Sequence, residues 1–545
     1  MPDDRHWYRS AVFYEVLARS FADADADGIG DLRGLQDRLE YLEWLGVDCL
    51  WLPPIFDSPL RDGGYDVRDF YSVHPDVGTV DDMADLLDAA HARGIRIISD
   101  LVVNHTSDEH AWFQEARRPG SDLRDWYVWS DTTERYADAR IIFIDSEPSN
   151  WTWDEQAGAY FWHRFYHFQP DLNFDHPGVR KAMLDVVRYW MDMGFDGFRL
   201  DAVPYLYERE GTICENLPET HEYLKEMRRV VDEEFDGTKV LLAEANQWPR
   251  DAAAYFGDGD ECHMNFHFPV MPRLYMGLAR GHADDLREIL EDTPEIPEGT
   301  QWGIFLRNHD ELTLEMVTPE QRDFMWDHYA PDPRMRLNLG IRRRLASLLE
   351  GERAAIELLH GLLLSLPGSP VLYYGDEIGM GDVYLLHDRD GVRTPMQWTP
   401  DPGAGFSMAD PSTYWLPLVD DPRFAPDAVN VADQRGDPGS LLSWVRTMLG
   451  IRREHPEMAL GDFTMVDAGT PAVFAFTRRL GDVVTLVVAN FSRDPQAAVV
   501  DDAAVAGLVP VDLATGGRLT TIGVDPIRVE LGPLEFRWLS LAVRS

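Results

Sequence analysis

Eight short runs rich in β-formers recur between residues 12 and 374, and most are separated by stretches with helical spacing. They cover 12–16, 47–52, 95–103, 197–203, 239–245, 262–268, 302–308 and 370–374. Between them, Met83, Leu86, Leu87 and Ala90 keep a helical period within 81–93, and 178–193 reads as another good helix. Strands alternating with helices call for a parallel sheet with the helices outside it, and eight repeats fit a closed barrel better than an open sheet. Two stretches depart from the repeat. Residues 104–178 are aromatic-rich and turn-rich, an insertion long enough to form its own subdomain or lid. From about 457, strand-like alternation takes over in Ala472–Thr477, Val483–Ala489 and Phe536–Leu541, the pattern of an antiparallel sandwich. The expected fold is α/β: a (β/α)8 TIM barrel (1–104 and 179–456), an inserted subdomain after strand three (105–178) and a C-terminal antiparallel β-sandwich (457–545).

Composition narrows the partners. The 545 residues carry a net charge of −45, and only Lys181, Lys225 and Lys239 are lysines. Such a field repels nucleic acid and anionic lipid. Cys49, Cys214 and Cys262 are too few and too scattered for a disulfide framework or a metal cluster. Neither a signal-like N-terminus nor an 18-residue apolar window is evident, so a soluble cytoplasmic protein is expected.

Chemistry is written at the ends of four runs. Run three ends in Asp100, Asn104 and His105; run four in Arg199 and Asp201; run five in Glu244 and Asn246; run seven in His309 and Asp310. Residues i and i+2 of a strand share a face, so Arg199 and Asp201 project together. Taken singly, each cluster is adequately explained as a structural ion pair or a satisfied histidine. Four in order on the C-terminal face of one barrel, where catalytic groups of such barrels sit, point to an active site.

These four clusters, with Gln169-Pro170-Asp171-Leu172-Asn173 in the insertion, resemble the signature regions of the α-amylase superfamily of retaining glycoside hydrolases and transglycosidases. The resemblance spans nearly the whole chain. It implies Asp201 as nucleophile, Glu244 as general acid/base and Asp310 as the carboxylate that grips sugar hydroxyls. Such chemistry needs one carboxylate to attack and one carboxylic acid to protonate the leaving group, and Arg199 would keep Asp201 ionised. His105 and His309 resemble the imidazoles that hold the terminal glucose. Asp62 and Tyr65 resemble the pair closing its subsite, Phe165 and Gln169 two further pocket residues, and Arg393 an arginine reaching in from beyond strand eight. Together they imply a blind pocket for short α-glucosides.

Within the superfamily, Pro204–His221, Asn265–Arg273 and Arg334–Arg342 resemble the branch that interconverts maltose and trehalose by intramolecular transfer. Glu311 and Glu315 could then grip the released glucose, and the insertion and the Arg393 segment are lid candidates. The alternatives are an α-glucosidase, or a sucrose- or oligosaccharide-directed relative. A non-catalytic carrier is the rival class, but such relatives typically lose the nucleophile or the acid, and here Asp201 and Glu244 both stand. The implied partners are a disaccharide and glucose, a second copy of the chain in a homo-oligomer, and a maltokinase.

A metal is also expected. Asp23, Asp25, Asp27 and Asp31 occupy positions 1, 3, 5 and 9 of an EF-hand-like loop, with Gly28 at 6 and the Ile29 carbonyl at 7. Gly34 stands where that pattern has a bidentate glutamate. Calcium, or magnesium at this loop, would be structural. The resemblance implies a second calcium held by Asn104, Asp171, Glu208 and the carbonyls of Tyr205 and Leu206. No organic cofactor is expected.

Overall fold

The computed structural model describes residues 4–501, 508–517 and 526–543. Eight strands close into one barrel: β1 (Phe13–Glu15), β2 (Cys49–Leu52), β3 (Arg96–Val102), β4 (Gly197–Asp201), β5 (Val240–Ala243), β6 (Met264–Phe266), β7 (Gln301–Phe305) and β8 (Ser369–Tyr373). Neighbours are parallel and follow chain order, with β8 returning to β1. Several strands stop short of the runs that foretold them: the run 302–308, for example, leaves the ladder after Phe305. Its last residues belong to the loop above the barrel, which is where a polar side chain gains room to face a ligand.

Every residue of β2, β4, β5, β7 and β8 is buried, as expected for a parallel sheet covered on both faces. The helix Val80–His91 opens on a capping box between Thr79 and Asp82 and buries the four residues whose spacing foretold it. Pro177–Met193 starts with a proline in its first turn, and the His176 ring accepts from the Gly178 N–H.

Between β3 and β4 the chain forms a three-stranded antiparallel sheet from Trp129–Ser130, Ala159–Trp162 and Trp151–Asp154. Tyr136, Trp151 and Trp162 pack into a small core beside it, while Phe113 and Tyr127 join the main core. Isolated bridges between His105 and Asp171 and between Tyr127 and Leu172 tie this unit to the top of β3.

The C-terminal domain pairs two antiparallel sheets. The larger holds β9 (Asp462–Met465), β10 (Val473–Leu480), β11 (Val483–Asn490), β13 (Leu508–Asp512) and β15 (Phe536–Val543); the smaller holds β12 (Gln496–Val500) and β14 (Ile527–Leu531). Val473, Leu486 and Val488 of one sheet meet Ala498, Val500 and Val529 of the other in a separate core. Among the described residues, no helix is long and apolar enough to cross a membrane.

Candidate active site

β3 and β4 run in register at Asp100 and Arg199, so these two buried side chains meet inside the barrel. Arg199 Nη1 donates to Asp100 Oδ2 at 2.8 Å and to Asp201 Oδ1 at 2.6 Å. Its Nη2 lies 2.5 Å from Glu244 Oε1, just beyond the end of β5. One guanidinium therefore holds both of the carboxyl groups that the chemistry requires. Directly after Asp201 the backbone of Ala202 turns into the left-handed region (φ 55°), and its N–H donates to Glu244 Oε2 at 3.1 Å. A non-glycine residue held there is a local cost of the kind that clusters at functional sites.

Above these groups lies a cavity of about 120 Å³. Asp201, Glu244, Asp310, Asp62, Tyr65, His105, Phe165 and Glu311 all line it. Four other expected site residues stand behind the wall. Arg199 is one. Gln169 is fully buried and donates to Asp62 Oδ2 at 2.8 Å, so it orients that carboxylate. His309 is sandwiched between the carboxylate of Glu15 and the hydroxyl of Tyr65, the latter at 2.7 Å.

The fourth is a correction. Arg393 does not line the cavity: its Nε donates to the His309 carbonyl and its Nη2 reaches Asp310 Oδ1 from outside at 3.3 Å. The arginine on the wall is Arg389, four residues earlier. Its Nη2 donates to Asp62 Oδ1 at 2.6 Å and its Nη1 to Asp310 Oδ1 at 2.9 Å, clamping the far end of the cavity. Sequence reasoning missed Arg389 and Glu15. Both left a signal: an arginine between two aspartates (Asp388, Asp390), and a carboxylate inside the apolar run Val12–Val16.

Burial and charge set different protonation states in this small space. Burial pushes the Glu244 carboxyl well above the ordinary glutamate range, and the negative charges of Asp201 and Asp310 add to it against the pull of Arg199. Burial also works to raise Asp310, but Arg389 and Arg393 help to hold it below the usual carboxylate range. Asp62 and Glu311 are each pushed up to about 7 by burial, against the pull of Arg389. Burial lowers His105 to about 4, so at neutral pH the ring is uncharged. Its Nε2 has no partner within the chain, and the ring lines the cavity. That is a polar group lacking the hydrogen bond that buried polar groups normally make.

An ion pair joins the insertion to the cavity wall at Glu315. Arg140, from the insertion, contacts Glu315, after β7, at 2.7 Å and Glu215 at 2.9 Å. The expected stretch Arg334–Arg342 forms a small hairpin, Arg336–Leu337 against Gly340–Ile341, that pairs with Leu312–Thr313 beside Glu311. Asn338 at its tip donates to Glu311 Oε1 at 3.3 Å.

Both expected metal sites can be tested against the donors present. Asn104 Oδ1, Asp171 Oδ2 and Glu208 Oε1 are buried acceptors that receive no hydrogen bond. Burial pushes Asp171 to about 8, and burial with the negative charge of Asp171 pushes Glu208 well above its ordinary range. A cation among these three oxygens would answer both their charge and their missing partners, so the donor set fits one. In the 23–31 loop, Asp23, Asp25 and Asp27 bring carboxylate oxygens within 4.8 Å of one another. Asp31 is different: it caps the helix Leu32–Asp37 by accepting from Gly34 N–H at 2.7 Å, and its other oxygen accepts from Ala24 N–H at 2.8 Å. Its expected place as a ligand is corrected accordingly, because its carboxylate caps the helix and is not in the cluster formed by Asp23, Asp25 and Asp27. Ile29, whose carbonyl is expected as a ligand, is half-buried in the same loop.

Residues 15–326 and 342–461 match the family model of the α-amylase catalytic domain, and 463–538 match that of the maltogenic amylase C-terminal domain. The chain is 60% identical over 554 residues to "Trehalose synthase/amylase TreS" of Mycobacterium tuberculosis, covering 100% of this chain and 92% of that protein. It is 57% identical over 553 residues to "Trehalose synthase" of Pimelobacter sp., covering 99% and 96%. Among solved structures it is similar to a mutant of the trehalulose synthase MutB in complex with the substrate sucrose. The TM-score is 0.79 at 27% identity, covering 98% of this chain and 99% of that one.

Proposed function

Because the chain belongs to the α-amylase family, in its trehalose synthase branch, we propose that it is an isomerase that interconverts maltose and trehalose by intramolecular α-glucosyl transfer, with minor hydrolysis to glucose. The observation that carries this reading is the pair of carboxyl groups on one guanidinium, Asp201 and Glu244, in a cavity whose wall at Glu315 is tied to the insertion by Arg140.

In this reading Asp201 attacks the anomeric carbon while Glu244, held protonated by its surroundings, gives its proton to the departing glucose oxygen. A covalent β-glucosyl-enzyme results, as in retaining double displacement. Asp310 and the neutral imidazole of His105 hold hydroxyls of the bound glucosyl unit, with Asp62 and Arg389 closing its far end. Glu244, now ionised, takes the proton of the incoming hydroxyl, and Asp201 leaves. Isomerisation requires the freed glucose to turn over and return its anomeric hydroxyl before water arrives. Water stands at roughly 55 M, while a well-held reactant acts at about 10⁵ M or more, so a closed mouth lets glucose win. Glu311 and Glu315 are the groups available to grip it in two orientations.

The structural metals belong to the same proposal. Calcium would be held by Asn104, Asp171 and Glu208 with the Tyr205 and Leu206 carbonyls, and calcium or magnesium by Asp23, Asp25, Asp27 and the Ile29 carbonyl. Bound there, the ions would neutralise clustered carboxylates and tie the insertion to the barrel; no proton transfer passes through them. A homo-oligomer and association with a maltokinase rest on resemblance alone, and light scattering with and without such a kinase tests them.

Unlabelled maltose turned over in excess ¹³C-glucose should yield mainly trehalose carrying little label. Glucose without trehalose would leave an α-glucosidase, and heavy labelling an intermolecular transferase.

A further inference from the structure

On the underside of the barrel, a cavity of about 690 Å³ opens between the segment before β1, the starts of β2 and β3, and the helix Leu441–Glu454. Its lining inverts the character of the chain. Acidic residues outnumber basic ones 95 to 50 overall, yet here Arg9, Arg96, Arg452 and Arg453 converge with a single carboxylate, Asp48. Asp48 is already engaged, accepting from Val12 N–H at 2.9 Å and lying 3.2 Å from Arg453 Nη2.

Arg452 is the deepest of the four, at 3% exposure. Its Nη1 and Nη2 donate to the carbonyls of Leu364, Met458 and Gly368, which are neutral partners. Its Nε, like that of Arg9, is buried with no partner. Arg96 is placed by a contact to Asp196 at 3.5 Å and by the face of Trp7, 4.7 Å from its guanidinium carbon. Burial lowers Arg452 to about 10, against the pull of Asp48. Capping of carbonyls accounts for the Nη atoms of Arg452. It does not account for the two buried Nε–H groups left without a partner where four arginines gather in so acidic a chain. Guanidinium forks match phosphate oxygens in geometry and charge, and a buried cation gains most from such a partner.

We propose that this cavity binds a phosphate anion, either free or carried by a small sugar phosphate, at a site on the opposite end of the barrel from the active cavity. Its volume leaves room beyond the phosphate for an organic part, with the Trp7 indole as an apolar wall. Lying at the N-terminal ends of the strands, the site acts on stability rather than on chemistry.

The test is titration calorimetry at constant ionic strength with inorganic phosphate and with glucose 6-phosphate, using sodium chloride as the control. The parent should give saturable binding of at least one of the two, and the arm with the greater affinity identifies the source. Arg9→Gln combined with Arg453→Gln should weaken that binding at least tenfold while maltose turnover in phosphate-free buffer stays unchanged. Arg452 is left intact because its caps hold the fold. If the double variant has a lowered Tm in chloride alone, Arg453→Gln is read by itself, since that side chain is 61% exposed. No saturable heat, or equal affinity in parent and variant, overturns the site.

Discussion

At the scale of single residues, the site works by giving like groups unlike environments. Glu244 and Asp201 share one guanidinium, yet the Glu244 carboxyl is pushed upward by burial and by neighbouring negative charge. A general acid must carry its proton at the working pH, and a raised pKa does that at neutrality. As pH climbs through the raised value the proton is lost, so turnover of maltose should fall on the alkaline side. Glu244→Gln should reduce maltose turnover by about 10²–10⁴-fold, the usual worth of acid–base assistance. With α-glucosyl fluoride, whose leaving group needs no proton, the same variant should still form the glycosyl-enzyme, without the alkaline limb attributed to Glu244. Asp201→Asn should abolish reaction with both substrates, and substantial maltose turnover by that variant would show the roles to be misassigned.

At the scale of elements, the segments above the barrel decide what becomes of the intermediate. Arg140 fastens the insertion to Glu315, beyond β7, and the side chain is 38% exposed, so its removal should be tolerated by the fold. Arg140→Gln should open the mouth: hydrolysis should rise against isomerisation, and labelled glucose should enter trehalose. An unchanged product ratio would show that this contact does not guard the acceptor.

The 23–31 loop makes a different prediction, about stability. Chelation should lower Tm, and Asp25→Ala with Asp27→Ala should reduce the calcium-dependent part of that shift by the share of this loop, because an ion that binds only the native state stabilises it. Gly34→Glu, which restores the missing loop position on paper, should not improve binding. A Cβ there would lie 2.1 Å from the Ala22 carbonyl oxygen, so a cost of about 1–3 kcal/mol from overpacking is expected, measurable as a fall in Tm.

At the scale of the whole molecule, charge dominates. The chain holds 95 acidic and 50 basic residues, so many carboxylates have no cation to pair with. Raising NaCl from about 0.1 to 1 M shortens the screening length from about 10 to about 3 Å. That weakens both exposed ion pairs and self-repulsion. Exposed pairs are individually worth little, so relief of repulsion should win and Tm should rise with salt. A falling Tm would mean that the surface pairs, many of them through arginine, form networks worth more than their number suggests.

Periodicity alone determined the eight barrel strands, the helices Val80–His91 and Pro177–Met193, and the polar residues at the strand ends. Alternation fixes which side chains share a face, and barrel closure fixes where strand ends meet, so Asp201, Glu244 and Asp310 were legible together. The antiparallel character of the C-terminal domain was legible for the same reason. The tertiary structure alone decided which polar residues line the cavity and which stand behind it. Arg389 and Arg393 lie in the same long irregular stretch after β8, where no period relates one side chain to the next, and only the folded path sets Arg389 against Asp62 and Asp310. Asp31 likewise has the spacing of a ligand, but its carboxylate turns to cap the helix that begins at Leu32 and stands outside the cluster of Asp23, Asp25 and Asp27. A spacing rule specifies which side chains a loop could offer; the folded path decides which of them come together.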